Sequence, residues 1–144
     1  MSEAIKGNAE PRELTYVAAI TEGVREVLLE QSNAFVAGED VAGAGGPFGQ
    51  YSGLLTEFGE DRIVDTPISE KGIVGLGVGA SAVGCRPIID VMFVDFMGEC
   101  MDEIANQMAK MRYMFGGSVT LPVTVLSMTG AGMSMAAQHS QSLE

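Results

Sequence analysis

Patterns typical of buried strands alternate with patterns typical of helices along most of this 144-residue chain, and this alternation limits the possible folds more than any other feature. Short apolar runs predict strands, whereas apolar residues spaced three and four apart predict helices. The predicted strands are "AFVAGEDV", which ends in two carboxylates, "RIVDT", "PIIDVMFVDF" and "LPVTVLSM". Strands of this kind separated by helices predict a three-layer α/β fold with a mainly parallel sheet.

The predicted helices fill the intervals between these strands. "TYVAAITEGVREVLLEQ" has Thr15 as a candidate N-cap, and "YSGLLTEFG" is closed by Gly59. A small-residue segment covers 72–84, and "GECMDEIANQMAKMRYMF" (98–115) is predicted to be one long helix before two glycines. "TGAGMSMAAQHSQSLE" is predicted to be a loop at which another helix could begin. The core positions expected on central strands are Val36, Ile63, Ile89, Val91, Val123 and Val125.

The charge balance disfavours two classes of partner. Eight basic and nineteen acidic residues leave a net charge of −11, while hydrophobic residues make up 47% of the chain. A chain this acidic is repelled by a phosphate backbone and by anionic membrane surfaces. We therefore expect a globular protein that binds neither nucleic acid nor membrane.

The cysteines and the apolar runs predict a cytoplasmic location. Cys85 and Cys100 have neither metal-ligand spacing nor the arrangement of a disulfide framework, which is typical of a reducing compartment. The start "MSEAIKGNAEPREL" is polar and lacks a signal-peptide core. The sequence also contains no stretch of about 18 uncharged apolar residues that could cross a bilayer.

The glycine-rich run "GLGVGA" (75–80) satisfies the permissive dinucleotide pattern G-x-G-x-x-A. That pattern binds pyrophosphate only where a strand turns directly into a helix. Here "PISEKGIV" separates the run from the preceding strand. We therefore interpret these residues as the small face of a helix that lets another backbone approach closely.

Glu70 lies in "DTPISEKG", directly before this small apolar segment. Pro67 stops the preceding strand, and Thr66 or Ser69 could cap a helix that begins near Glu70. An acidic residue in a first helical turn stabilises the helix dipole by about 0.3–1 kcal/mol, which is a sufficient structural reason for its presence. If the side chain instead turns toward the apolar segment, burial raises its pKa and makes it a proton donor or acceptor near neutral pH.

Two further residues are candidates for a site, and one pattern is structural. His139, the only histidine, lies in the polar stretch "AAQHSQS" after a glycine loop, and Asp95 ends a predicted strand, where ligands gather in α/β sheets. No nucleophile elbow, phosphate loop or metal-ligand spacing is present in the sequence.

The residues that form a helical packing stripe are Met97, Met101, Ile104, Met108 and Met111.

Several stretches together resemble one family. They are "GEDV", "GLLTEFGEDRIVDTPISEKGIVGLGVGAS", "RPIIDVMFVDF", "NQMAKMRYMFGG" and "AAQHSQS". In this order they resemble the β subunits of thiamine-diphosphate-dependent 2-oxo-acid dehydrogenase E1 components, and within that family acetoin dehydrogenase β subunits. The resemblance implies a transketolase-like pyrimidine-binding domain over 15–144, after a lead-in at 1–14.

The resemblance also implies roles for individual residues. Glu70 would hydrogen-bond the pyrimidine nitrogen N1′ of thiamine diphosphate and so activate the cofactor, and His139 would assist proton transfers near the reacting carbon. Phe93 would pack against the aminopyrimidine. Ile68, in the same motif as Glu70, and Asp95 are the other expected cofactor-binding residues.

The resemblance further implies partners. In the family the β subunit continues well beyond this length, and an E1 α subunit holds the diphosphate and its magnesium ion through a motif that this chain lacks. We therefore expect an α subunit, a homo-oligomer and no turnover by this chain alone. A non-catalytic, self-associating module that retained the fold is the alternative, and a nicotinamide-dependent oxidoreductase built on the glycine run ranks below both.

Overall fold

Four parallel strands pair in the order β2-β1-β3-β4 in the computed structural model, which describes residues 12–130 and 132–143. The strands are β1 (Ala34–Gly38), β2 (Ile63–Asp65), β3 (Arg86–Phe93) and β4 (Thr124–Met128). Within the sheet, Val36 of β1 lies opposite Ile63 on one side and Ile88 on the other. The predicted parallel α/β architecture is therefore confirmed.

Helices connect consecutive strands, as parallel pairing requires. These helices are α2 (Leu54–Phe58), α3 (Glu70–Ala82) and α4 (Ala109–Met114), while α1 (Tyr16–Glu30) precedes β1. Before α4 the chain forms a 3₁₀ segment (Val94–Cys100) and a π segment (Glu103–Met108). The prediction of one regular helix over 98–115 is thus wrong in its start and in its regularity. Within 132–143 the backbone forms turns, and no helix begins there.

The core has two halves, one on each face of the sheet. Adjacent strand residues point to opposite faces, so Val36 and Ile88 face one side while Ala37 and Ile89 face the other. On the first side they pack with residues of α1 and α2, including the buried Leu28. On the second side they pack with α3 and the 3₁₀ segment. This arrangement gives the three predicted layers.

The predicted core positions divide according to strand order. Val36, Ile63, Ile89 and Val91 are buried, as predicted. Ile63 nevertheless lies on β2, which is an edge strand and not a central one. Val123 precedes β4 and Val125 lies on it, and both are only half-buried because β4 is the other edge of the described sheet.

The glycine run lies inside α3 and is a packing surface. A methyl group on Gly77 would lie 2.6 Å from Cγ1 of Ile89, so the bare backbone of α3 rests directly on β3. Positions 75–80 are all helical, which excludes the strand-to-helix turn of a dinucleotide site. The structural interpretation of "GLGVGA" is confirmed.

Only one of the predicted N-caps forms. The Thr15 hydroxyl accepts a hydrogen bond of 3.1 Å from the backbone N–H of Ala18 and caps α1. Ser69 occupies the N-cap position of α3 without a capping side-chain hydrogen bond. The Thr66 hydroxyl is buried and finds no partner among the described residues. The N-terminus of α3, where Glu70 lies, therefore has no side-chain cap among the described residues.

In the part of the chain that the structure describes, no helix combines the length and the apolar character that a membrane span requires.

Candidate functional site at the carboxyl edge of the sheet

The carboxyl ends of the parallel strands bring the candidate residues to one edge of the sheet. Glu39 follows β1, Glu70 follows β2, Phe93 ends β3, and the segment that contains His139 follows β4. In open α/β sheets this edge is where ligands bind. The candidates form two groups, a pair of carboxyls and a cluster of aromatic rings.

The carboxyl pair consists of Glu39 and Glu70. Glu70 is the first residue of α3 and is half-buried. Burial raises the pKa of the Glu39 carboxyl, and the nearby charge of Glu70 raises it further, while a hydrogen bond from the Ser69 backbone opposes both effects. The Oε1 atom of Glu39 is buried and has no hydrogen-bond partner among the described residues. The pair therefore combines a carboxyl of raised pKa, that of Glu39, with an oxygen that is free for a ligand.

The aromatic cluster surrounds His139. The His139 ring centroid lies 5.0 Å from that of Phe93 and 5.3 Å from that of Phe96, both in edge-to-face geometry. Phe48, from the loop after β1, contacts Phe93 at 5.7 Å. Edge-to-face contacts of this kind each stabilise a pair by about 0.5–1.5 kcal/mol beyond the burial of their area. The cluster therefore fixes the imidazole at the sheet edge.

A β-bulge aims Phe93 into this cluster. The pairing between β3 and β4 slips between Asp90 and Phe93, and Met92 adopts a φ of +37°, which is unusual for a residue other than glycine. The Met92 N–H donates a hydrogen bond of 2.7 Å to Oδ1 of Asp90, which holds the bulge in place. Bulges next to sites commonly redirect a side chain in this way.

Asp90 also fixes the loop that carries Phe48. The carboxylate is buried in β3 and accepts hydrogen bonds from the Tyr51 hydroxyl at 2.5 Å and from the Gln50 amide at 3.2 Å. Burial and the charge of Asp90 raise the pKa of Tyr51 above its ordinary range, so the phenol remains a donor. Gln50 in turn accepts a hydrogen bond of 3.0 Å from the Phe48 backbone N–H. Asp90 is therefore a structural carboxylate that organises the loop and not a free acid.

The segment around His139 is held by its backbone. The Gly130 N–H donates to the Gln141 carbonyl at 3.0 Å, and the Gln141 N–H donates to Oδ1 of Asp95 at 3.3 Å. Gly130 lies so close to the backbone of His139 and Ser140 that a side chain there would overlap them. The position of the histidine thus depends on a glycine just after β4 and on a carboxylate just after β3.

The structure brings only some of the predicted site residues together. It brings Phe93, Asp95 and His139 together and places Glu70 in the carboxyl pair, while Ile68 is 83% exposed in the loop before α3. The prediction that Asp95 ends a strand is wrong, because β3 stops at Phe93 and Asp95 belongs to the 3₁₀ segment. The pairing of β3 with β4 ends at Phe93, which lies opposite Met128, the last residue of β4.

Three members of the site, Glu39, Phe48 and Phe96, were not predicted as site residues from the sequence. Glu39 directly follows a strand, and this position was the available signal for it. Phe96 lies three residues after Phe93, a spacing of about one helical turn, but the predicted helix began only at residue 98. Among the described residues, no group of three His, Cys, Asp or Glu side chains has a metal-binding arrangement.

Comparison with known proteins places the chain in a family. Residues 12–144 match the family described as "Transketolase, pyrimidine binding domain". The chain is 46% identical over 137 residues to the acetoin:2,6-dichlorophenolindophenol oxidoreductase subunit beta of Bacillus subtilis, a match that covers 87% of this chain and 40% of that protein. It is 44% identical over 142 residues to the subunit of the same name from Cupriavidus necator, with 92% and 42% covered.

A third relative agrees with this result. The pyruvate dehydrogenase E1 component subunit beta of Bacillus subtilis is 45% identical over 132 residues, with 92% of this chain and 41% of that protein covered. The chain thus spans about two fifths of the length of these relatives.

The solved structure titled "Split gene transketolase, inactive beta4 tetramer" shares the fold with a TM-score of 0.59 at 21% identity, over 77% of this chain and 33% of that one. The fold, the sequence relatives and the family match over 12–144 agree, and the chain belongs to the transketolase pyrimidine-binding domain family.

Proposed function

We propose that this chain is the pyrimidine-binding part of the β subunit of a thiamine-diphosphate-dependent E1 enzyme that acts on acetoin or a 2-oxo acid. One observation carries the proposal: Glu70 lies at the carboxyl edge of the sheet near Glu39, a carboxyl whose pKa is raised by burial. The names of the relatives, which are β subunits of acetoin and pyruvate enzymes, support this assignment.

The residues at the edge suit an aminopyrimidine. Such a ring needs a carboxyl group at its ring nitrogen and an apolar surface against its face. Glu70 can supply the carboxyl group, and the half-buried Phe96 can supply the surface. The unpaired Oε1 of Glu39 is an acceptor available for an amino group. When bound, thiamine diphosphate would supply a carbon centre that stabilises negative charge next to a substrate carbonyl.

Glu70 would hold the ring nitrogen and exchange a proton with it. Glu39 would assist, because a carboxyl with a raised pKa keeps its proton to higher pH and lessens the charge repulsion within the pair. His139 would hold or move a proton near the reacting carbon, oriented by the two rings that contact it edge-on.

The two phenylalanines would have different roles. Phe93 is 2% exposed and contacts the rings of Phe48, Phe96 and His139. It would therefore hold these rings in place. Phe96 is more accessible and is the better candidate for direct contact with the pyrimidine. Ile68 would cover the ring from the loop before α3, where its side chain is exposed.

An α subunit would complete the site. The relatives are named as β subunits, which supports a partner of this kind. In the proposed assembly the α subunit holds the diphosphate and its magnesium ion, while residues 15–144 hold the pyrimidine end. A cytoplasmic location is part of the same proposal.

A second function is favoured by one surface. Tyr113, Met114 and Phe115 at the end of α4 are all exposed, and Tyr113 is 90% exposed. An apolar surface of this kind suits a self-associating module that retained the fold without catalysis.

Calorimetric titration with thiamine diphosphate and magnesium separates the two functions. We expect weak or no binding by the chain alone and clear binding in the presence of an acetoin dehydrogenase E1 α subunit. Glu70→Gln should weaken binding in that mixture, whereas Glu26→Gln on the exposed face of α1 should not. Self-association without cofactor binding in either mixture would favour the second function.

A further inference from the structure

We infer that Asp95 is a positioning residue that fastens the segment containing His139 to the end of β3, and that it is not a cofactor ligand. This inference deepens the proposed function, since the importance of His139 rests on that proposal. The contact itself is independent of any cofactor. Oδ1 of Asp95 accepts the hydrogen bond from the Gln141 N–H, two residues beyond His139.

The His139 segment needs such a contact because it has no regular secondary structure. From Thr129 onward the described residues form only bends and turns, so no helix or sheet ladder orients the imidazole. The peptide groups on the two sides of Gln141 are instead held from different strands. Gly130, just after β4, binds the carbonyl, and Asp95, just after β3, binds the N–H. The segment is thus fixed across the gap between two neighbouring strand ends.

Asp95 is well placed to couple this backbone contact to the ring cluster. Its neighbour Phe96 belongs to the same 3₁₀ segment and contacts His139 edge-on. Among the described residues, the imidazole makes ring contacts and no side-chain hydrogen bond, so its orientation depends on how its backbone is held. Loss of the Asp95 contact would therefore release the imidazole from Phe96.

The Asp95 carboxylate uses one of its two oxygens for this backbone contact. Oδ1 is bound to Gln141, and Oδ2 is buried with no partner among the described residues. A positioning role requires only an acceptor at Oδ1, which an asparagine also provides. A ligand role that depends on the negative charge would not survive the change to asparagine. The two roles therefore predict opposite results for Asp95→Asn.

The single histidine makes a direct test possible, because its Hε1 proton gives one resonance in the NMR spectrum of the full chain. We expect Asp95→Ala to move this resonance toward that of histidine in an unfolded peptide. Its NOE cross-peaks to the Phe96 ring protons should disappear. Asp95→Asn should keep both features, and so should Asp61→Ala, which removes an exposed aspartate elsewhere.

An unchanged resonance and unchanged cross-peaks in Asp95→Ala would overturn the inference. If that variant does not fold, hydrogen exchange of the wild-type chain decides the matter. The Gln141 amide should exchange more slowly than that of exposed Ser142, and equal rates would overturn the inference.

Activity separates this inference from the proposed function. In an active assembly with an α subunit, Asp95→Ala should lower kcat while the Kd for thiamine diphosphate stays near wild type, and Asp95→Asn should restore kcat. Loss of cofactor affinity in Asp95→Asn would show a ligand role and refute the inference. If wild type binds no cofactor while the NMR result holds, only the proposed function fails.

Discussion

Glu39, directly after β1, and Glu70, at the start of α3, interact electrostatically although 31 residues separate them in the sequence. The two carboxyls come near each other because β1 and β2 are neighbours and parallel, so that the segments leaving both strands meet at one edge. The N-terminus of α3, which is the positive end of its helix dipole, lies on the same side. Half-buried acids beside a helix terminus are a suitable arrangement for exchanging a proton with a bound base.

The first prediction concerns the pH dependence that Glu39 confers. Its pKa is raised in the folded chain, so its protonated form is favoured there. The stability that Glu39 contributes is fully present below its pKa in the unfolded state. It is lost as the pH rises through its pKa in the folded state. Glu39→Gln should therefore stabilise the chain relative to wild type at pH 7, by less than about 1 kcal/mol because solvent screens the site.

Chemical denaturation of both proteins between pH 4 and pH 8 checks this expectation. The difference in unfolding free energy should shrink toward zero at the acidic end. As a control, Glu26→Gln should leave the profile unchanged. A Glu39→Gln variant that is less stable than wild type at pH 7 would contradict the assignment.

The second prediction uses two glycines of α3. A methyl group at Gly77 would lie 2.6 Å from Cγ1 of Ile89, whereas one at Gly79 would meet nothing within 4 Å. Gly77→Ala should cost about 1–3 kcal/mol through overpacking. Gly79→Ala should stabilise the chain by about 0.5–1 kcal/mol, because alanine favours a helix interior.

Urea denaturation of the two variants measures these effects in one helix with the same substitution. If both changes stabilise the chain to the same extent, the close approach of α3 to β3 is not present in solution. Such a result would return the glycine run to consideration as a ligand site.

How far the sequence predicted this fold depends on which interactions are local. Strand and helix periodicity predicted the parallel sheet and the burial of Val36 and Ile89. Pro67 and the possible caps beside it predicted that a helix could begin near Glu70. Each of these follows from the pattern of neighbouring residues. Strand order is set by long-range packing, so the pattern did not reveal that Ile63 lies on an edge strand. For the same reason it did not reveal that Glu39 approaches Glu70.

The helical stretch after β3 shows a second limit. The apolar run "PIIDVMFVDF" reads as one long strand, yet a bulge at Met92 shifts the register of the pairing. The strand then ends at Phe93, and a 3₁₀ segment begins at Val94. A bulge held by the Asp90 side chain leaves no periodic signal. The site roles of Glu70, His139, Phe93 and Ile68 came from family resemblance, and they stay predictions. Asp95 was a candidate also because of its place after a strand, and the inferred role for it is now positioning.

The third prediction concerns self-association through the end of the helical stretch. Tyr113 and Met114 are 90% and 70% exposed, and apolar side chains this accessible favour contact with another surface. The double variant Tyr113→Gln with Met114→Gln should shift the chain toward a 15.1 kDa monomer in light scattering. Val83→Gln, which changes an equally exposed residue at the end of α3, should not. A wild-type chain that is monomeric at high concentration would contradict this prediction.

The last prediction concerns Glu70. In an assembly reconstituted with an E1 α subunit, Glu70→Gln should abolish substrate-dependent dye reduction while leaving the midpoint of unfolding nearly unchanged. Glutamine matches the volume of glutamate and can still form a hydrogen bond, but it cannot exchange a proton with a ring nitrogen. If Glu70 served only the dipole of α3, the same change would cost about 0.3–1 kcal/mol of stability and leave turnover intact.

Comparison with Glu26→Gln controls for the loss of one negative charge, since that residue lies on the exposed face of α1. The chain without an α subunit should show no turnover, because the proposed assembly takes its diphosphate and magnesium ligands from that partner. Sustained turnover by this chain alone would mean that its active site is completed by other residues, and the division of the cofactor between two subunits would have to be abandoned.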